Sequence, residues 1–381
     1  MVPGACMMFV LIAAGAVVLL AAGPIAAEPV TFERHVIDPD PPRNPWYKLV
    51  GDVTGDGRPE IVVAGQHGPV VMYHGDAWRK LTIADRPHDG GVHGAIADVN
   101  GNGRNDIVMG SVVWLENPGF SDGRFNGPWT VHRIASEAVH DVLVGDLTGN
   151  GLLDVVGRDQ SAFSGSGDAV HIFYQREPDQ WQQQTLPAHD GEGLALADVN
   201  GDGQLDIVID KVWFENAGGA WHRHVYAPRW DHGHAKVALG DISGNGRLDI
   251  VLTPAELRGQ RYRISWFAAP ETDRTRPWPE HVIVDDIEAV IHSLALADFN
   301  GDGRLDVAYA HMHQGAAPNE VVVMYNRGGG EVWHKQVIDT AGSHDIVATD
   351  LTGNGRVDLL GANHAGEAPL VLWRNRGAGE R

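Results

Sequence analysis

Cysteine is almost absent from this sequence. The only cysteine among its 381 residues is Cys6, which lies in a segment that we expect to be removed from the mature chain. A mature chain without cysteine forms no disulfide bonds, so its fold must be stabilised by other means.

Charged side chains are absent from the first 27 residues. This segment contains the apolar run 9–22 and ends with Ile25, Ala26 and Ala27. The pattern is typical of a secretory signal peptide cut near Ala27, and the run is short for a membrane span. We therefore predict a signal peptide at residues 1–27 and a mature protein, residues 28–381, that is secreted to the extracellular or periplasmic space. Because no Lys or Arg precedes the run, an uncleaved membrane anchor is the alternative.

Basic residues are scarce as well. The sequence has 29 Lys and Arg against 50 Asp and Glu, which gives a net charge of −21 at pH 7. No basic stripe is available to neutralise phosphate groups, so we expect no nucleic-acid partner. We also expect no contact with a membrane beyond the signal peptide.

Seven copies of a short acidic loop account for part of this negative charge. Each copy reads Asp-x-(Asn/Thr/Ser)-Gly-(Asp/Asn)-Gly-x-x-(Asp/Glu), for example DVNGDGQLD in the fourth copy. Their starts are 43 to 57 residues apart, which is the period of one propeller blade. The copies begin at Asp52, Asp98, Asp146, Asp198, Asp241, Asp298 and Asp350.

Each repeat contains segments for four short strands. In the repeat around Asp198, apolar residues 194–197 precede the loop, residues 206–209 follow it, and aromatic residues come at 212–214. A fourth segment opens with tryptophan in six repeats. This composition, with Gly- and Pro-rich turns, predicts an all-β fold: a seven-bladed β-propeller with four-stranded blades in a single domain. Because the last repeat lacks a fourth segment, we predict that residues 31–37 supply it, so that N- and C-terminal strands close the last blade.

The acidic loops have the spacing of a shortened calcium loop. Side-chain oxygens at positions 1, 3, 5 and 9 and the backbone carbonyl at position 7 suit Ca²⁺, and glycines at positions 4 and 6 permit a tight turn. We predict several structural Ca²⁺ sites, chiefly in the four loops with the best ligands. These ligands are Asp52, Thr54, Asp56, Glu60, Asp98, Asn100, Asn102, Asp106, Asp198, Asn200, Asp202, Asp206, Asp298, Asn300, Asp302 and Asp306. The alternative is that side-chain hydrogen bonds close these turns without an ion.

Histidines are concentrated on the face opposite the acidic loops. Strand direction alternates within a blade, so the fourth-to-first and second-to-third connections share that face, and they contain twelve of the twenty histidines. His140, His292 and His344 each lie six residues before the first Asp of a loop. Trp46 and Glu192 hold the same position in two other blades. We expect these five residues at the rim of the central funnel.

A group of histidines with aromatic and cationic neighbours predicts a ligand site on this face. Two His-x-His pairs, at 232 and 234 and at 311 and 313, each put two imidazoles on one side of a strand and suggest a Zn²⁺ site, for which the sequence fixes no third ligand. The further candidate residues are His93, His234, Tyr47, Tyr309, Trp230, Arg158, Lys211 and Arg258.

The repeats resemble the FG-GAP/VCBS family over essentially all of the mature sequence. The DxNGDGxxD loops carry this resemblance, together with the third-strand sequences WLENPG at Trp114 and WFENAG at Trp213. That family includes integrin α-subunit heads, lectins and secreted carbohydrate-active enzymes, so the fold does not define the function. With its histidine-rich face and single ring, the sequence is most similar to secreted propeller-type polysaccharide lyases, such as the ulvan lyases and the L-rhamnose-α-1,4-D-glucuronate lyases.

This resemblance implies β-elimination next to a uronate of a polysaccharide. A cation takes up the carboxylate charge, a base removes the C5 proton, and an acid protonates the leaving oxygen. The acid and base candidates are His140, His292, His344, His93, His234 and Tyr309. The candidates for holding the carboxylate are Arg158, Lys211 and Arg258. The candidates for contacting the sugar are Trp46, Tyr47, Trp230 and Glu192.

Two other classes of protein fit the same sequence. A non-catalytic sugar-binding or adhesion propeller, similar to a lectin or an integrin head, would keep the tryptophans and the calcium loops but would not need clustered histidines. A glycoside hydrolase would need two opposed carboxylates. These could come from Glu192, Asp231, Glu256 and Glu288. In every case the expected partner is a polysaccharide or glycan, and we expect a monomer.

Overall fold

A computed structural model describes residues 29–87, 90–365 and 368–379. The predicted signal peptide at residues 1–27 lies outside the described residues, as does His88, one of the twelve histidines expected on the funnel face. Within the described ranges, no helix combines the length and the apolarity that crossing a membrane requires. The regular structure of these ranges consists of strands β1 to β30, numbered in chain order, and the four-residue helix α1 (Ser161–Ser164).

The strands form seven four-stranded antiparallel sheets, which confirms the predicted seven-bladed propeller. The innermost strands are β2 (Pro45–Gly51), β6 (Gly94–Ala97), β12 (Asp141–Gly145), β16 (Leu194–Ala197), β20 (Ala235–Gly240), β24 (Ile291–Ala297) and β28 (His344–Thr349). The second strands are β3 (Glu60–Gly65), β7 (Asp106–Met109), β13 (Asp154–Arg158), β17 (Asp206–Ile209), β21 (Asp249–Pro254), β25 (Asp306–His311) and β29 (Asp358–Ala362). The third strands are β4 (Val70–His74), β8 (Val113–Glu116), β14 (Ala169–Glu177), β18 (Val212–Asn216), β22 (Leu257–Phe267), β26 (Val321–Asn326) and β30 (Leu370–Asn375). The outer strands are β5 (Arg79–Ala84), β11 (Thr130–Arg133), β15 (Gln180–Pro187), β19 (Trp221–Val225), β23 (Glu280–Ala289), β27 (Trp333–Asp339) and β1 (Phe32–Asp38). A small hairpin of β9 (Phe120–Ser121) and β10 (Arg124–Phe125) lies between β8 and β11.

The seventh blade joins the two ends of the described chain. Its sheet order is β1-β30-β29-β28. In this sheet Phe32 lies opposite Asn375 and Val36 lies opposite Val371. The prediction that an N-terminal segment supplies the missing outer strand is confirmed. The ring is thereby closed, and the innermost and outer strands of the last blade come from opposite ends of the sequence.

The hydrophobic core is divided into seven clusters, one between each pair of neighbouring blades. Successive side chains point to opposite faces of a strand, so each sheet contributes to two clusters. Val62 belongs with Ile107 of the second blade, whereas its neighbour Val63 belongs with Leu360 of the seventh. Every blade is therefore held by apolar packing on both of its faces.

Buried amide side chains add a polar link between blades. Each comes from the end of a third strand and donates to the backbone carbonyl at loop position 2 of the preceding blade. Asn216 Nδ2 donates to the Leu147 carbonyl at 2.7 Å, and its backbone N–H donates to Asp206 Oδ1 at 2.8 Å. In the fifth blade Arg274 donates to the matching carbonyl of Val199. The amides are Asn117, Gln175, Asn216, Asn326 and Asn375. These bonds cross-link blades in a chain without disulfides.

The direction of the innermost strands defines the two faces of the ring. Each innermost strand runs toward the acidic loop that follows it, as β28 begins at His344 and is followed by the loop from Asp350. The residues six positions before each loop therefore lie near the strand starts, on the face opposite the loops.

Candidate functional site

The acidic loops are compact turns closed by their own backbone. In the fourth blade, Asp198 Oδ1 accepts hydrogen bonds from the N–H groups of Gly201 and Asp202 at 2.6 and 3.0 Å, and Oδ2 accepts one from Gly203 at 2.9 Å. Gly201 and Gly203 have φ of 83° and 89°, values that other residues rarely adopt. These are the hydrogen bonds expected of a turn closed without an ion. Oδ1 uses both of its lone pairs in them, whereas Oδ2 keeps one lone pair for a cation. The loops thus fit Ca²⁺, and its presence stays a prediction.

The carboxylate at loop position 9 is buried and already engaged. Asp206 Oδ2 accepts a hydrogen bond from Val199 N–H at 2.9 Å, and Oδ1 accepts one from Asn216 N–H at 2.8 Å. Burial raises the pKa of Asp206 to about 6 and that of Asp306 to about 7. Backbone N–H groups also bond to the other predicted position-9 ligands, Glu60, Asp106 and Asp306. The carboxylate at position 9 therefore stabilises the loop through hydrogen bonds. Of the predicted ligand positions, it is the least available for binding Ca²⁺.

Four of the five residues expected at the funnel rim come together on the opposite face. His140, Glu192, His292 and His344 belong to the third, fourth, sixth and seventh blades, and each is at most 3% exposed. Trp46 lies farther out, half-buried, with its ring 6.5 Å from that of His364. The shared position in the repeat places these side chains at one depth in the ring, because equivalent residues of each blade surround the same central axis.

Three atoms form the centre of this cluster. Glu192 Oε2 lies 3.2 Å from His140 Nε2 and 2.9 Å from His292 Nε2, and the two nitrogens are 3.3 Å apart. Glu256 Oε1 lies 3.8 Å from His292 Nε2. Imidazole nitrogens and carboxylate oxygens at these distances can share a proton or bind a metal ion.

Two buried carboxylates support the histidines from behind. His140 Nδ1 lies 2.9 Å from Asp141 Oδ2, and His292 Nδ1 lies 3.1 Å from Asp345 Oδ1. Lys236 Nζ bridges the two carboxylates, 3.3 Å from an oxygen of each. The site is thus a buried network of alternating charges, in which each imidazole is oriented by an acidic neighbour.

The charges of this network shift its proton affinities strongly. Burial raises the pKa of Glu192, but His292 and His140 outweigh burial and lower that pKa to about 2. Burial lowers the pKa of His292, but Glu192 and Asp345 outweigh it and raise that pKa to about 10. At neutral pH and without a metal ion, Glu192 is therefore ionised and His292 holds a proton.

The pKa of His344 shifts in the direction opposite to that of His292. The ring of His344 stacks on that of His292 with centroids 4.1 Å apart, and its Nδ1 lies 3.6 Å from Asp345 Oδ2. Burial, followed by repulsion from His292, holds the pKa of His344 well below its ordinary value. Two adjacent imidazoles therefore differ in charge at neutral pH, an arrangement typical of acid–base sites.

A cavity of about 150 Å³ adjoins the cluster deeper in the ring. Its polar lining includes Lys48, His93, Asp141, Lys236 and Asp345. Burial lowers the pKa of Lys48 to about 8. The centre of the propeller therefore contains a polar chamber, and not an apolar plug.

The outer side of the cluster reaches solvent. The Glu256 side chain is 34% exposed although it approaches His292. From His344, ring contacts continue outward to His364 at 4.8 Å and then to His313 at 4.4 Å. His364 is half-buried and His313 is exposed. A row of imidazoles therefore connects the buried network with the surface.

Arg158 does not have the role that was expected of it. It is fully buried, and its guanidinium donates to Asp210 Oδ2 at 3.0 Å and to the backbone carbonyls of Glu192 and Gly193. With these bonds made, it cannot hold a substrate carboxylate. It instead fixes the backbone that carries Glu192.

Three predicted aromatic residues are also part of the core. Trp230 is fully buried and packs edge-on against Tyr262 at 4.9 Å. Tyr47 is buried and donates to the Gly90 carbonyl at 2.8 Å. Tyr309 is 1% exposed between the fifth and sixth blades. Their burial excludes stacking on a sugar or protonating a leaving group in this conformation.

The remaining candidates lie around the cluster. His93 lines the cavity, with Nδ1 3.4 Å from the Val142 carbonyl, and His234 is half-buried before β20. Arg258 is exposed on β22, and Lys211 is half-buried in the turn between β17 and β18.

The His-x-His pairs do not form the suggested Zn²⁺ site. His232 Nδ1 contacts the carbonyl of His234 at 2.6 Å, and His311 Nδ1 contacts that of Glu320 at 3.4 Å. Among the described residues, neither pair belongs to a group of three convergent ligand atoms.

Three important residues of the site were given no role from the sequence, although Lys236 was expected on this face. Asp141, Lys236 and Asp345 each lie five residues before the first Asp of a loop, one step deeper than the histidines. The dipeptide His-Asp occurs at this position in both the third and the seventh repeat. That recurrence was a signal for carboxylate-supported imidazoles.

Comparison with known families agrees with the repeats and the fold. The profile described as FG-GAP-like repeat matches residues 52–109, 98–157 and 298–361. The chain is a seven-bladed propeller, and these stretches of it match the FG-GAP-like repeat. No curated protein matches its sequence.

Solved structures that are similar to this propeller support the fold alone. A chain in "Crystal Structure of Mitotic Checkpoint Complex" has a TM-score of 0.55 at 16% identity, covering 98% of this chain and 99% of that one. A chain in "YCF48 bound to D1 peptide" has a TM-score of 0.53 at 12% identity, covering 93% and 99%. At these identities the similarity carries no information about ligands or chemistry.

Proposed function

We propose that the protein is a secreted polysaccharide lyase that cleaves next to a uronate by β-elimination in the central funnel. The observation that supports this most is the meeting of His140, Glu192, His292 and His344 on the face opposite the acidic loops. A propeller that only binds sugar has no need of a buried network of charges, which is costly unless each charge is paired. Such networks are common where protons are transferred.

The chemistry requires a base, an acid and a positive charge. The base takes the C5 proton, the electrons of that bond form the C4–C5 double bond, and the C4–O bond breaks toward an oxygen that the acid protonates. We assign the acid and base roles to His344 and Glu256, because both contact the cluster and Glu256 reaches solvent. Lys236 and Lys48, both buried and already bonded, add positive charge near the site. Lys211 and Arg258 remain the candidates for holding the carboxylate.

The test is a lyase assay on uronate-containing polysaccharides. Ultraviolet absorbance of the unsaturated product should rise with the wild-type protein. His344→Ala and Glu256→Gln should each slow this rise by about 100-fold or more, the usual contribution of a general acid or base. The matched control is His311→Ala, since His311 lies on the same face but contacts the Glu320 carbonyl, and it should keep the wild-type rate.

Two results would overturn this proposal. Retained polysaccharide binding with no absorbance change on any substrate would indicate a sugar-binding or adhesion propeller. New reducing ends without absorbance would indicate a glycoside hydrolase. Glu192 and Glu256 would then be the candidates for its pair of catalytic carboxylates.

We also propose that the acidic loops bind Ca²⁺ as a structural ion. The best ligand sets, those of the loops from Asp198 and Asp298, combine two Asp and one Asn at positions 1, 3 and 5. A ligand that binds only the folded state at 100 times its Kd stabilises it by about 2.7 kcal/mol per site. Chelation should therefore lower Tm, Ca²⁺ alone should restore it, and affinity for sugar should change little. An unchanged Tm after chelation would contradict this prediction.

A further inference from the structure

We propose that His140, Glu192 and His292 bind one divalent transition-metal ion, with zinc the best match, at the centre of the funnel. Three blades contribute one ligand each. The proposal concerns binding and does not depend on the lyase activity.

The distances suit a tetrahedral ion. The three ligand atoms form a triangle with sides of 2.9, 3.2 and 3.3 Å. Ligand atoms about 2.1 Å from a tetrahedral ion lie about 3.4 Å from one another, so the triangle needs to expand only slightly. Two His and one Glu leave a fourth position open, as in catalytic zinc sites. Glu256 Oε1, 3.8 Å from His292 Nε2, is near enough to take that position or to bond a water there.

The supporting carboxylates prepare both histidines for a metal. Asp141 and Asp345 contact the Nδ1 atoms, at 2.9 and 3.1 Å. An ionised carboxylate only accepts hydrogen bonds, so each Nδ1 carries a hydrogen. The Nε2 of His140 can then turn a lone pair toward Glu192, and the Nε2 of His292 can do so once a metal ion displaces its proton. The same carboxylate–histidine pairing orients the imidazoles of known zinc sites. Three acceptor atoms that face one another repel unless a cation or a proton lies between them.

Glu192 supplies an independent observation. It is fully buried, and its Oε1 has no hydrogen-bond partner among the described residues. A buried polar atom without a partner costs free energy, and more when it is charged. A metal ion bound through the carboxylate would offset that cost. Glu256 and Asp345 also have φ of 65° and 49°, a backbone conformation that costs free energy in residues other than glycine and that can mark a functional site.

The donor atoms distinguish this site from the acidic loops. Mixed imidazole and carboxylate ligands favour zinc and similar ions, whereas the all-oxygen loops favour Ca²⁺. The two faces of the ring would therefore bind different metals. If the protein is a lyase, the ion would face the uronate carboxylate, and this role alone rests on the proposed function.

Metal binding is tested on the untagged protein, stripped by a chelator and kept in excess Ca²⁺ so that the loops are saturated. Calorimetric titration with Zn²⁺ should give one tight site per chain. Co²⁺ should give the visible d–d bands of a four- or five-coordinate ion, and Zn²⁺ should displace it. A wild-type protein that binds neither ion stoichiometrically would overturn the proposal, whatever the lyase assay shows. A tight site without lyase activity would uphold it.

Variants locate the site. Glu192→Gln should remove the Co²⁺ bands, and Asp141→Asn should weaken Zn²⁺ binding by about 10–100-fold through loss of the supporting carboxylate. His311→Ala is the control and should bind as the wild type does. Circular dichroism establishes folding, and His140→Gln replaces Glu192→Gln if the latter does not fold. Unchanged Co²⁺ bands in a folded ligand variant would show that these side chains do not hold the metal.

Discussion

Replacing Lys236 with methionine is expected to lower the free energy of unfolding by about 3–5 kcal/mol, the cost of removing one partner from a buried ion pair. Lys236 is 8% exposed, and its Nζ lies 3.3 Å from both Asp141 and Asp345. Burial lowers the pKa of Lys236, but the two carboxylates outweigh burial and raise it, so the lysine is charged at neutral pH. Methionine fills similar space but leaves two buried carboxylates without this cation. Urea unfolding at pH 7 measures the difference.

Lys335→Met is the matched control for Lys236→Met. Lys335 pairs with Glu320 at the surface, where the two side chains are 46% and 25% exposed. Solvent screens such pairs, and their loss costs up to about 1 kcal/mol. If both variants unfold at the same urea concentration, the central network does not contribute to stability as described.

Replacing Asp210 with asparagine should also destabilise the fold by about 3–5 kcal/mol at pH 7, because Arg158 would be left buried without its partner. Burial raises the pKa of Asp210, but Arg158 and His189 outweigh it and lower the pKa to about 2. A carboxyl whose pKa is lower in the folded state than its ordinary value of 3.8 stabilises the fold above that value. This contribution is lost as the pH falls toward 2, so the difference between variant and wild type should shrink there.

Unfolding curves recorded between pH 7 and pH 2 test the Asp210 prediction. Asp286→Asn serves as the control, because Asp286 is 65% exposed and pairs with Arg261 in solvent. This control should follow the wild type throughout. A difference between Asp210→Asn and wild type that does not depend on pH would mean that Asp210 acts through packing and not through its charge.

The sequence was sufficient to predict the scaffold, because the propeller repeats one local pattern. The segments 194–197 and 206–209 coincide with β16 and β17. The pairing of residues 31–37 with the C-terminal strand followed from the missing fourth segment of the last repeat. Such inferences need only the alternation of apolar and polar residues within a strand and a fixed spacing between repeats. Both are visible in a single sequence.

The site was predictable only in part. Equivalent positions in the repeats share one depth in the ring, which is why His140, Glu192, His292 and His344 meet. Whether a side chain faces the funnel or the core depends on the neighbouring blades, so Trp230 and Tyr309 were misplaced. Closeness in the sequence was also a misleading guide to the residues that could bind a transition metal. The His-x-His pairs are local, whereas the triangle joins His292 to residues 100 and 152 positions away.

The closing blade places a condition on how the chain folds. Phe32 of β1 pairs with Asn375 of β30, so β1 is synthesised well before its partner and must wait for it. Until then, the strand edge of β30 and the blade faces at this junction are exposed, and exposed edges favour association with other chains. At six junctions a side-chain amide or, once, Arg274 donates to the carbonyl at loop position 2; among the described residues, no side chain donates in this way to the Leu351 carbonyl of the seventh blade. The junction that forms last is therefore the one where the ring should open first.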